Sequence, residues 1–147
     1  YLGPLCETLI FKNKFLLTHI SQGFHPNMGD NLYELTNLLK NFPKLKVVAA
    51  HMGGGAIFYE NYKPMTKLYK NLYFDISLPS QLEWLPLFLN KVNHRKFLYA
   101  SDFPYFSQKK LLEILKKLKF PKSKFNDLVF FNAKNLINSC SKKNIIL

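Results

Sequence analysis

The sequence predicts an α/β fold built on a parallel sheet, and three observations carry that prediction. Four short runs are almost continuously apolar: KFLLTHI (14–20), LKVVAAH (45–51), NLYFDIS (71–77) and KFLYASD (96–102). Strands covered on both faces have this character. Patterns of helical period separate the runs at intervals of roughly two to three dozen residues, the rhythm of successive βα units. Each run also ends in a polar or ionisable group: His19, His51, Asp75 with Ser77, and Ser101 with Asp102.

In chain order, YLGPLCETLIF (1–11) reads as the tail of a helix leading into the first strand. DNLYELTNLLKNF (30–42) follows that strand and places Leu32, Leu35, Leu38, Leu39 and Phe42 on one stripe. Asn31 and Glu34 have the spacing of a capping box, and Pro43 supplies a stop. Residues 56–70 and 80–92 carry weaker helical patterns interrupted by Pro64 and Pro86, which should kink or divide them. Helices over 107–119 and 122–138 follow the fourth strand. In the first of these Leu111, Leu112, Leu115 and Leu118 share a face, while Lys109, Lys110, Lys116 and Lys117 point elsewhere.

The chain of 147 residues fits one domain, and with 48% hydrophobic and 16% aromatic residues it is no candidate for disorder. Its 21 basic and 9 acidic residues give a net charge of +12. Much of the excess is lysine on solvated helix faces, with no basic run interleaved with exposed aromatics, so no specific nucleic-acid partner is expected. Cys6 and Cys140 form no CxxC, which suits a reduced, cytoplasmic setting. No apolar run approaches the roughly 20 residues of a membrane span, and no signal peptide is visible. The first residue is Tyr1 rather than Met, so the start of the natural chain is expected to be missing.

In parallel α/β folds the strand C-termini face one way, so the four polar ends can converge on one site. Two histidines and a carboxylate on different strands suit a divalent metal: zinc first, with manganese or iron as alternatives. Such an ion lowers the pKa of bound water, and an imidazole that does not bind it can carry the proton. Structural roles compete with these. A single strand-end histidine is usually structural. His25 in GFHP either touches substrate or belongs to a turn. His94 in VNHRK precedes a strand and so falls at the opposite, stability end. Asp75 either backs the site or hydrogen-bonds a neighbouring loop. The glycines at 53–55 either cradle phosphate or let the backbone turn tightly.

HMGGG, NLYFDIS, SDFP and NAKNLI, in this order and spread over about residues 12–138, resemble the C-terminal half of an amidohydrolase-related protein. The resemblance is to the branch of the amidohydrolase superfamily that includes aminocarboxymuconate-semialdehyde decarboxylase. It implies that the four strands are the fifth to eighth of a TIM-type (β/α)8 barrel. Residues 1–147 would then be a single partial domain whose N-terminal half is absent from this chain. By the same resemblance His19 matches the fifth-strand metal ligand, and Asp102 the eighth-strand aspartate that contacts metal and activated water. His51 matches a sixth-strand histidine that acts as an acid/base or polarising group here and as a ligand in other branches. The family's first-strand H-x-H ligand pair has no counterpart in this sequence.

The implied function is a metal-dependent hydrolase in which metal-activated water attacks a carbonyl of a small-molecule substrate. A non-oxidative decarboxylase (carboxy-lyase) on the same site is the alternative. A further alternative is an inactive half-barrel or an interaction module that associates with partners through exposed sheet edges; the isolated chain is expected to self-associate, a homo-oligomer being one form, or to be partly unfolded. The isolated chain is expected to be inactive. It should expose whichever of Phe15, Leu17, Val48, Phe74 and Leu98 alternate inward.

Overall fold

A computed structural model of the chain describes residues 2–20, 28–54 and 65–141. Four strands, β1 (Phe15–Thr18), β2 (Lys46–Ala49), β3 (Leu72–Asp75) and β4 (Phe97–Leu98), form one sheet in sequential order, every neighbouring pair parallel. Thr18, Ala49, Phe74 and Phe97 stand in register across it. The fold is therefore α/β, with strands in the consecutive parallel order of a barrel segment. The paired stretches are shorter than the apolar runs: His51 and Asp102 lie beyond their strands, in turns.

The helices are α1 (Gly3–Phe11), α2 (Met28–Asn41), the single turn α3 (Met65–Leu68), α4 (Leu85–Lys91), α5 (Gln108–Lys117), α6 (Lys122–Asn126) and α7 (Asn132–Ser141). Helix α2 begins before Asn31, so that residue lies inside the helix rather than at the expected N-cap position. Of the pattern at 56–70, residues 56–64 lie outside the described residues. The pattern at 80–92 divides as its proline requires: a 3-10 stretch (Pro79–Trp84) precedes α4, and Pro86 sits in the first turn of α4, where the missing N–H costs nothing. The last helical pattern is interrupted by a π-helical turn (Asp127–Phe131) between α6 and α7.

The two faces of the sheet are covered differently. Leu16, Val47, Ala49, Leu72, Phe74 and Phe97 pack against a helix layer that includes Cys6, Leu35, Leu39, Leu85, Phe88, Leu111 and Leu115. In a closed (β/α)8 barrel this helix-covered face is the outer one. On the other face Val48 and Leu98 pack with Leu136 and Cys140 of α7, flanked by Phe15, Tyr73 and Ala133. The chain thus lays its own last helix over the surface that would turn inward. The expected exposure of an inward layer is corrected accordingly. Phe74 belongs to the helix layer, Val48 and Leu98 are buried beneath α7, and of those five residues only Leu17 is largely exposed, at 60%.

Candidate functional site

One step beyond the row of Thr18, Ala49, Phe74 and Phe97 come His19, Ala50, Asp75 and Leu98, at the C-terminal edge of the sheet. His19 follows β1 directly and its side chain is exposed. His51 follows β2 by two residues and is only 8% exposed. Their rings meet edge to face, with centroids 4.9 Å apart and planes at 79°.

His51 is carried by unusual backbone. After Ala49 the chain enters a left-handed turn, with φ of 55° at His51, 52° at Met52 and 70° at Gly53, followed by 56° at Gly54. Each L-residue with a Cβ loses about 1–2 kcal/mol in this region. Gly53 and Gly54 escape that cost, so the strain falls on His51 and Met52. The tight-turn reading of these glycines is thus the one observed, Gly55 lying outside the described residues.

Such strain persists where surrounding structure holds it, and the brace is Asp75. Its Oδ1 accepts three hydrogen bonds: from the His51 N–H at 2.9 Å, the Ser77 N–H at 3.1 Å and the Ser77 hydroxyl at 2.6 Å. The Ser77 Oγ also lies 2.9 Å from His51 Nδ1. Asp75 and Ser77 are buried, so this network is shielded from competing water. Asp75 therefore hydrogen-bonds the neighbouring loop and backs a histidine at once. The strand-end pair Asp75 and Ser77 stood out in the sequence, but Ser77 had no role there. Its signal was the spacing of two, which aligns side chains along a strand.

Asp102 is half-buried on the loop after β4 and, like His51, left-handed, with φ 56°. Its carbonyl accepts from the Tyr105 N–H at 2.9 Å, closing a turn that contains the cis Phe103–Pro104 peptide. Ser107 then caps α5, accepting from the Lys110 N–H at 3.4 Å. A cleft of about 210 Å³ opens between this loop and Pro79, lined by Tyr105, Phe106, Lys110 and Ile114. Neither histidine nor Asp102 lines it.

Among the described residues, no group of three or more His, Cys, Asp or Glu side chains is gathered closely enough to hold a metal ion. His25 lies outside the described residues. His94 is at the opposite end of the sheet, where its Nε2 pairs with Asp127 Oδ2 at 2.8 Å.

A family model described as amidohydrolase matches residues 16–128. A search of curated proteins returned no match. Among solved structures, an uncharacterised TIM-barrel protein from Bordetella bronchiseptica superposes with a TM-score of 0.77 at 18% identity, over 96% of this chain and 51% of that one. The 5-carboxyvanillate decarboxylase of Sphingomonas paucimobilis gives 0.69 at 16% identity, over 92% and 52%. A dihydroxybenzoic acid decarboxylase of Polaromonas, with bound manganese and the inhibitor 2-nitroresorcinol, gives 0.70 at 15% identity, over 98% and 55%. The chain thus spans about half the length of the barrels it matches.

Proposed function

The chain belongs to the amidohydrolase family, and on that premise we propose that it supplies half the active centre of a metal-dependent hydrolase acting on a carbonyl-type small molecule. The observation that carries the reading is the packing of His19 against a buried, braced His51 on the rim where parallel strands end. Barrels of this kind keep their chemistry on that rim.

The donor set fits a divalent ion. Neutral imidazole and carboxylate suit zinc, manganese and iron, and contact with Ser77 at Nδ1 leaves His51 its second ring nitrogen. His19 and Asp102 are the ligands in this proposal, and His51 takes up and returns the proton. When bound, such an ion polarises a carbonyl and brings the pKa of its water towards neutrality. Two ligands fall short of the three protein donors usual in catalytic zinc sites. The rest would come from outside the described residues, and the isolated chain would turn over no substrate. We favour zinc, although one matched structure carries manganese. Among the described residues no helix is long and apolar enough to cross a membrane, and a cytoplasmic placement is part of the proposal.

A second reading is decarboxylation, favoured by two of the matched structures being decarboxylases. His51 would then deliver a proton to the carbon that loses carbon dioxide. The test is to strip the full-length protein with a chelator and reload it with zinc or manganese. It is then assayed for hydrolysis of lactones and amides and for carbon dioxide release from aromatic carboxylates. Metal-restored hydrolysis is the expected result. Metal-restored carbon dioxide release would move the assignment to the second reading, and failure of both with either metal would overturn both.

A further inference from the structure

Ser77 Oγ touches two groups and has one proton. Its 2.6 Å contact with Asp75 Oδ1 is in the range of a charge-assisted O–H···O bond, so the hydroxyl proton lies there. A carboxylate oxygen that also accepts from two main-chain N–H groups has no proton of its own to offer. Towards His51 Nδ1, at 2.9 Å, the serine oxygen can therefore only accept. Nδ1 must carry a proton, and in the neutral ring Nε2 then carries the lone pair.

We propose that Asp75 and Ser77 are positioning residues that lock neutral His51 as its Nδ1–H tautomer, presenting a bare Nε2 at the rim of the sheet. The inference rests on the reading of His51 as part of an active centre, and it adds the device that prepares the residue. Free histidine in water favours the opposite tautomer, and the hydrogen bond to one ring nitrogen decides which form a protein holds. The same carboxylate sets the ring's direction as well as its proton. By taking the His51 N–H it stabilises the left-handed turn from which the side chain projects. Burial of His51, Asp75 and Ser77, each at most 8% exposed, keeps water from substituting for any link. A bare Nε2 serves a base that accepts a proton, and it serves equally a ligand that donates to a metal.

The experiment is nitrogen NMR on full-length protein labelled with 15N-histidine, chelator-treated and zinc-loaded, at alkaline pH where histidine is neutral. The His51 signals are assigned by their loss in His51→Asn. Wild type is expected to show a protonated Nδ1 and an unprotonated Nε2. Ser77→Ala should shift the population to Nε2–H and lower turnover about 10- to 100-fold, the usual effect of removing a partner behind a metal-site residue. Ser77→Thr, which keeps the hydroxyl, should restore both. An Nε2–H tautomer in wild type, or Nδ1–H persisting in Ser77→Ala, overturns the inference whatever the turnover. The wild-type spectrum alone decides if the alanine variant does not fold. Because it needs no substrate, it also separates this inference from the choice of reaction.

Discussion

Where the strands begin, Asn132, Asn13 and Lys46 donate to main-chain carbonyls, whereas where they finish, the side chains of Asp75, Ser77 and His51 are linked to one another. At the starting end, Asn132 donates to the carbonyls of His94 at 2.9 Å and Phe97 at 2.8 Å. Asn13 and Lys46 both donate to the carbonyl of Ser139, at 2.8 Å and 3.1 Å, pinning α7 to β1 and β2. His94 is paired with Asp127. These contacts hold a helix and a turn in place and commit the groups that make them. At the finishing end, Asp75, Ser77 and His51 form a buried chain that engages one imidazole nitrogen and, among the described residues, leaves the other without a hydrogen bond. The non-glycine residues His51, Met52 and Asp102 are there held at positive φ. Left-handed backbone occurs at both ends, since Asn13 before β1 has φ 51°; what sets the finishing end apart is the buried chain of Asp75, Ser77 and His51, and it is there that the proposal puts the chemistry.

The largest expected effect separates the two ends by activity. In the full-length protein Asp102→Asn keeps shape but removes the charge of a residue proposed as metal ligand and proton acceptor, and turnover should fall about 10²- to 10⁴-fold. Its thermal midpoint should stay near that of wild type. Turnover close to wild type with metal still bound would remove Asp102 from the site.

The counterpart at the starting end is Asn132→Ala. It leaves two carbonyl acceptors without their donor in a site only 4% exposed, and should cost about 1–3 kcal/mol in a denaturant titration. Turnover per folded molecule should not change. A loss of turnover without loss of stability would blur the division between the ends.

How far these ends could be read from the sequence differs by element. The βα rhythm and the stripe of Leu111 and Leu115 were legible because helix and strand periods are local properties, and both leucines are buried as the stripe requires. The turn after β2 was half legible. Gly53 and Gly54 announced tight backbone, but positive φ at His51 depends on a hydrogen bond from a residue 24 positions away. The placement of α7 was not legible. Its stripe of Leu136 and Cys140 suits either face of the sheet, and tertiary packing with Val48 and Leu98 made the choice. NAKNLI contributed to the family resemblance, yet its Asn132 is a structural lock at the end away from the candidate site.

A finer test asks which histidine holds metal. His51→Asn should retain more bound ion than His19→Asn, because His51 is proposed as the proton carrier. Equal loss measured by equilibrium dialysis would make His51 a ligand instead.

The smallest effect belongs to Lys96, whose ammonium lies 4.3 Å from the centre of the Tyr73 ring. Burial pushes this lysine below its ordinary value of 10.5. The folded state therefore releases the proton first. Lys96 should add stability as pH rises from its lowered value towards 10.5, because the unfolded chain then binds more protons. Tyr73 runs the other way: burial, with Cys140 adding to it, raises the phenol, and stability should fall as pH climbs above 10.0. Urea midpoints of wild type minus Lys96→Met should rise with pH through the alkaline window below 10.5. A flat or falling difference would contradict the sign.

The division between the two ends is tested most directly by metal stoichiometry. Elemental analysis by plasma mass spectrometry on full-length wild type, His19→Asn and His94→Asn, purified in parallel, compares one histidine from each end. The account predicts bound divalent metal in wild type and His94→Asn, and its loss in His19→Asn. Metal retained in His19→Asn at the wild-type level, or lost in folded His94→Asn instead, would contradict it.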